Sequence, residues 1–365
     1  MKNNRIFLSV TGDGIARACP SSDGGWIVEQ TLTGSRINCL AADPNTPGRV
    51  FAGSQSSGVL VSQDYGNSWQ PSGLPGMMVK SLAVSPHAPG TIYAGCKPVS
   101  LFASRDGGKS WLELDGIKRR KKWWWLSPAE PPDFRPYIQA LAVSPADPQF
   151  LLAGIELGGV LRSTDGGQTW SKHCRGAVLD CHSLKFHPTD GNWIYQGGGT
   201  GAGAAFSQDG GATWQQPDSR FAKKYGWMVA ADPGQPGVWY LSASPQPNFL
   251  RGEFAPPAHI DGQARAHIYR MNGAGKAVQL EGGLPQPLAY MAYALLTDPE
   301  IPGYLVAGLS NGDLWHTADY GDSWEKLPLN LGQLRSAILL VPADKALETG
   351  SILQEPGLVG DVGKK

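Results

Sequence analysis

The sequence predicts an all-β fold, a seven-bladed β-propeller, on three observations. A short turn phrase built around Ser, Asp, Gly and Trp recurs six times. A second, apolar phrase ending in Pro recurs seven times. The interval between copies centres on about 42 residues, enough for four short strands and their turns. Composition agrees: with 48 Gly and 29 Pro among 365 residues the chain must turn often, and only 17% charged residues leave little for long solvated helices.

Along the chain, the apolar stretches 6–10 and 15–19 read as two strands ahead of a worn turn copy, Ser21-Ser-Asp23-Gly-Gly25-Trp26. Full copies run Ser62 to Trp69, Ser104 to Trp111, Ser163 to Trp170, Ser207 to Trp214 and Thr317 to Trp324. Their Asp residues, from Asp23 onward, are spaced by 41, 42, 59, 44 and 110 residues, the last a double interval. In each copy Ser or Thr and Asp can hold turn amides, Gly accepts positive φ, and Trp packs back on the blade. The phrase is therefore read as a staple between third and fourth strands, its acids occupied with their own loop. The apolar phrase, as in Leu82 to Pro86 followed by Ile92 to Gly95, marks strands one and two. Its seventh copy, 334–342, has no blade after it, so 334–341 is expected to supply the missing innermost strand of the first blade. Closure of the ring removes exposed sheet edges. The propeller is expected to occupy 1–342, with insertions at 117–137 and 244–267, and 343–365 to form a flexible tail.

These turn copies resemble the Asp-box, or BNR-repeat, propellers, a group that includes sialidases, the sortilin ectodomain, xyloglucanases and photosystem II stability factors. The resemblance covers roughly residues 1–342 and implies the propeller fold, with binding on the rim opposite the Asp-boxes. It does not extend to sialidase activity. Arg5-Ile6 is followed by Phe7 where a sialidase has Arg-Ile-Pro, and no three arginines match a carboxylate-binding triad.

On that rim the first strands can be aligned by their Pro. Six residues back stand Asn38, Lys80, Gln139, His182, Trp227, Tyr293 and Ser336; eight back stand Arg36, Met78, Tyr137, Asp180, Tyr225, Met291 and Leu334. Strand alternation predicts that both rows share one side with the apolar row four residues back. The result is a polar ring: Arg36, Lys80 and Arg335 on neighbouring blades, Asp180 and His182 across the axis. Tyr137, Gln139, Trp227 and Tyr293 complete the expected ligand contacts. A ring of this kind suits a polar or anionic ligand, or equally a hydrated channel mouth. For acid–base chemistry the candidates are Asp180 and His182, assisted by Tyr225 or Glu156. A glycosidase-type carboxylate pair would draw on Glu156, Asp180, Glu253 and Asp261.

Three further constellations stand out. Lys118 to Lys122 followed by Trp123, Trp124 and Trp125 reads as a lid in which Trp124 stacks on a flat ligand, or as a solvated basic turn. His173, Cys174, Cys181 and His182 carry donor types for zinc or copper, though neighbours in extended chain point opposite ways. Buried thiols are the alternative, and no cofactor is required. Gly199 to Ala204 mimics a dinucleotide fingerprint but precedes no helix that would hold a pyrophosphate.

Charge and targeting narrow the partners. Thirty-one basic and 31 acidic residues give no net field, which makes nucleic acid an unlikely partner. No apolar run approaches a membrane span, and no leader is evident, so a cytoplasmic protein is expected. Five scattered cysteines do not form a disulfide framework. Two functions remain. The first is a binding propeller recognising a small polar or anionic ligand or a protein partner. The second is a hydrolase or lyase acting through the same rim.

Overall fold

The computed structural model describes residues 5–127, 132–217, 224–247, 255–273 and 276–342. Among them the strands fall into seven antiparallel sheets. The first blade runs β26 (Ser336–Leu340), β1 (Ile6–Val10), β2 (Ile15–Pro20) and β3 (Trp26–Thr31). Its innermost strand is thus the last in sequence, as expected. Five residue pairs, from Ile6↔Leu340 to Val10↔Ser336, zip it to the start of the chain. The second blade holds β4 (Ile37–Ala42) to β7 (Gln70–Pro71), and the third β8 (Met78–Val84) to β11 (Leu112–Glu113). The sixth holds β18 (Lys224–Ala231) to β21 (Lys276–Leu280), and the seventh β22 (Ala292–Thr297) to β25 (Glu325–Asn330).

The fourth and fifth blades depart from the four-strand expectation. The fourth keeps β12 (Ile138–Val143), β13 (Leu151–Ile155) and β14 (Gly159–Ser163); the fifth keeps β15 (Cys181–Phe186), β16 (Ile194–Gly198) and β17 (Ala204–Ser207). Their outer edges shrink to the Ser171 N–H on the Arg162 carbonyl and the Phe206–Gln215 bridge. In the fourth, the chain leaves the edge after Trp170 to bury Cys174 in the core between these two blades.

The turn staple works as its residue types require. Ser62 Oγ sits 2.8 Å from Asp64 Oδ1 and accepts the Gly66 N–H at 2.8 Å. Asp64 accepts Ser68 N–H and O–H at 2.9 and 2.6 Å, and the Trp69 indole N–H closes on the Gly66 carbonyl at 3.1 Å. The same set recurs around Asp106, Asp165, Asp209 and Asp319. Hydroxyl donation from Ser323, then Thr317, pushes the Asp319 carboxyl down to about 2. The double interval arises because the sixth blade pairs Asn272 with Lys276 where the staple would stand.

Between blades, each glycine of the strand-two phrase receives the next blade's innermost strand. A Cβ on Gly53 would lie 2.6 Å from Val79, on Gly95 2.7 Å from Ile138, and on Gly154 2.3 Å from Cys181. Only glycine permits that approach. The innermost strands consequently touch one another in a closed circuit from β26 through β4 and on to β22.

Trp170 is buried against this scaffold at 2% exposure. Trp170→Ala is expected to destabilise the protein by about 3–5 kcal/mol, as core aromatic truncations do. Urea unfolding measures it, and a loss under 1 kcal/mol would refute a packing role for the staple.

Candidate functional site

One feature of the innermost strands builds the site. In blades two to seven the ladder slips by a bulge at the position six residues before the Pro, as between Ile37 and Cys39 or between Cys181 and Ser183. A bulge places two residues opposite one, so strict alternation fails there and a carbonyl leaves the ladder. The preceding blade takes up freed carbonyls. Asn38 donates to the Val79 carbonyl at 2.9 Å, Ser81 to that of Ile138 at 2.7 Å, and Ser183 to that of Trp227 at 2.7 Å.

In blades two to seven the bulge turns one side chain into a cavity of about 670 Å³ at the channel mouth, and Ser336 reaches it from the regular inner strand of blade one. All seven residues of the six-back row line it: Asn38, Lys80, Gln139, His182, Trp227, Tyr293 and Ser336. The eight-back row divides. Tyr137, Tyr225 and Leu334 line the cavity, whereas Met291 is fully buried. Arg36 does not line it. The residue is exposed and sits in the left-handed region at φ +47°, its backbone tied to Asp13 and Gln55, so the expected Arg36 contact is corrected to Asn38. Arg335 lines the opposite side, and Glu156 enters from the turn after β13.

Asp180 and His182 meet as expected, on the fifth blade. The Gly226 carbonyl can only accept, so at 2.7 Å it takes the His182 Nδ1–H and leaves Nε2 facing Asp180 Oδ2 at 3.4 Å. Burial alone would push the imidazole down; the Asp180 carboxylate, and beyond it Glu156, hold it above its usual value. Room for Asp180 comes from the Gly-rich turn. A Cβ on Gly199 would lie 2.0 Å from Asp180 Oδ2 and 2.9 Å from Tyr225 Cε2. The stretch that mimics a dinucleotide motif is thus a strand turn that clears space for a carboxylate.

Beside the pair lies an aromatic cluster. The Trp227 ring centroid is 4.5 Å from that of His182, 5.0 Å from His259 and 5.1 Å from Tyr293. Tyr293 donates to the Ala258 carbonyl at 3.1 Å, so it must accept from His259 Nδ1–H at 2.8 Å. His259 Nε2 therefore accepts the Tyr225 hydroxyl at 3.0 Å. His259 is exposed at its outer side, yet desolvation by the rings packed on it, then the neighbouring His182, pushes its imidazole down to about 4. On the far wall, Lys80 Nζ lies 4.7 Å over the Tyr137 ring.

His259 is the site residue that sequence reasoning missed. It lies in the 244–267 insertion, on a short turn Pro257–His259 that folds back over the sixth blade, and only the insertion's length hinted at it. Asp261 of the same loop lines the cavity; Glu253 lies outside the described residues, as does the 343–365 tail. Trp124 is half exposed and is not among the cavity-lining residues, whereas Trp125 is buried in the third and fourth blades' core. Trp124 is therefore corrected from a stacking lid to a surface side chain, packed edge-on against Trp123.

The proposed Cys/His metal set does not assemble. Cys174 and Cys181 are buried in an apolar cluster, where desolvation raises both thiols, and His173 Nδ1 accepts the Val160 N–H at 3.1 Å. His182, on the other face of its strand, turns to Asp180 instead. The extended chain between these neighbours points them apart, and all five cysteines are free.

Comparison with known proteins gives the class. Residues 161–172 match the BNR/Asp-box repeat model. No curated protein matches the chain significantly. Among solved structures, the GH74 xyloglucanase from Xanthomonas campestris is similar at 18% identity and TM-score 0.62, over 88% of this chain and 46% of its own. An ancestral GH74 enzyme follows at 19% identity and TM-score 0.58, over 87% of this chain and 40% of its own. YCF48 bound to D1 peptide is similar at 13% identity and TM-score 0.53, over 94% of this chain and 98% of its own. This chain thus spans less than half the length of the two GH74 structures. The chain thus carries a BNR/Asp-box repeat within a ring of seven blades, and the similar solved structures share its propeller fold. Among the described residues no helix is long and apolar enough to cross a membrane.

The Gly199 clearance generates a test. Gly199→Ala is expected to cost about 1–3 kcal/mol by overpacking against Asp180 and Tyr225. Gly237→Ala, whose nearest neighbour would be 3.6 Å away, should fall within about 0.5 kcal/mol of the native protein. Equal effects in chemical denaturation would contradict the geometry.

Proposed function

We propose that the funnel binds a small polar molecule carrying an anionic group. The observation that carries this reading is the convergence of seven inner-strand side chains, one per blade and six of them at a bulge, on a single cavity of about 670 Å³. That volume is in the range of small-molecule sites, about 300–1,000 Å³. Lys80 and Arg335 supply cationic walls for the anion. Glu156 and Asp261 face hydroxyl or amine donors, and the Trp227, Tyr225 and Tyr293 rings offer an apolar surface to a carbon skeleton. The similar structures include a xyloglucanase, a second GH74 enzyme and a peptide-bound protein, so propellers of this shape serve both chemistry and binding.

The arrangement of Asp180 and His182 supports a second reading, a hydrolase or lyase. The Gly226 carbonyl orients the imidazole so that Nε2 faces the carboxylate, an arrangement that suits acid–base work.

Calorimetric titration with hexuronic acids, sugar phosphates and dicarboxylates tests the first reading. At least one should bind, and Lys80→Ala and Arg335→Ala should each weaken it about two- to fivefold, since each removes a cationic contact from a partly exposed wall. Trp123→Ala, on the outer surface, should leave binding unchanged. Retained affinity in both cationic variants would move the site elsewhere. For the second reading, turnover of chromogenic aryl glycosides or unsaturation of hexuronides should vanish in His182→Ala; no turnover by the native protein of either class would count against it.

A further inference from the structure

Glu156, Asp180 and His182 each present one metal-ligand type atom, all within 4.8 Å of one another, and all three residues are buried. Acidic groups cluster often without an ion, so the argument rests on the surroundings of two of them. Because the Gly226 carbonyl takes the Nδ1–H, His182 is fixed in the tautomer and ring orientation that direct Nε2 at its neighbours, as a backbone carbonyl on the outer nitrogen does for metal-bound imidazoles. Asp180 is 8% exposed, and its Oδ1 is buried with no hydrogen-bond partner. Polar atoms so placed are costly unless something satisfies them.

The 3.4 Å between His182 Nε2 and Asp180 Oδ2 is also informative. It exceeds the roughly 2.7–2.9 Å of a direct charge-assisted hydrogen bond. It equals the edge, about 3.4 Å, of a tetrahedron whose arms are the roughly 2.1 Å of zinc–nitrogen and zinc–oxygen bonds. Two ionised carboxylates and a neutral imidazole would balance a divalent cation, whereas a protonated imidazole would leave one negative charge over.

We infer that Glu156, Asp180 and His182 form a binding site for one divalent transition-metal ion of the zinc class, with a coordination position open to the funnel. One imidazole with two carboxylates favours zinc, manganese or ferrous iron over calcium or magnesium, which take oxygen donors, and over cuprous ion, which prefers sulfur. Glu156 and His182 line the cavity, so a coordinated ion faces it and is available to an oxygen of whatever the funnel holds. Gly199 and the Gly226 carbonyl belong to the site as its supports.

The test uses the full chain without a polyhistidine tag, stripped with chelator and titrated with zinc chloride in the absence of any organic ligand. One equivalent should bind, survive gel filtration and raise the melting temperature as a native-state ligand does. Glu156→Gln, Asp180→Asn and His182→Ala should each weaken uptake at least tenfold, while His173→Ala and Cys174→Ser leave it unchanged. Lys80→Ala and Arg335→Ala should also keep the zinc, which separates failure of this inference from failure of the ligand reading. Absence of stoichiometric uptake at micromolar zinc overturns the inference, as does native-like uptake by Glu156→Gln, the variant least disruptive to the fold.

Discussion

The whole molecule depends on the pairing of Ser336–Leu340 with Ile6–Val10. Without it the first blade would lack its inner strand, and the seventh and second blades would have no neighbour to complete the circuit of inner strands. A ring of antiparallel blades is stable because every inner edge is paired or packed. The contact joins residues more than 300 positions apart, so the last segment of the ring must arrive before the first blade is complete.

Inside the ring, three repeated devices divide the labour. The Asp-box turns tie third to fourth strands at one end and occupy their own carboxylates. The strand-two glycines let side chains of the next blade's inner strand pack directly on their backbone. The inner-strand bulge then acts at the other end, where it exchanges ladder bonds for side-chain bonds between blades and turns one residue inward in each of blades two to seven. Scaffold and site are therefore made by different parts of the same repeat, and the inward position is the one free to vary: Asn, Lys, Gln, His, Trp, Tyr and Ser occupy it in turn.

That variety concentrates chemistry on one side of the funnel. Blades four to six contribute Glu156, Asp180, His182, Tyr225 and Trp227, and the sixth blade's insertion adds His259 and Asp261. Blades one and three supply the cations Arg335 and Lys80. The cavity is thus polarised, a buried acid–imidazole cluster facing basic walls, and its shape is set by rigid strands more than by loops.

The repeats alone determined the propeller, its seven blades and the closing strand, and the shared Pro put the six-back row in register, because period and turn chemistry are local and survive in any copy. Tertiary structure decided what alternation could not. The bulge broke parity, so Arg36 left the ring while Asn38 stayed in it. Cys174 and Cys181 went to the core between blades, because a small apolar thiol fits there and the extended chain parts them from His182. His259 entered the site from an insertion whose return over the sixth blade depends on packing against residues distant in sequence. Which side chains share a cavity is a property of the closed ring, and no single repeat contains that information.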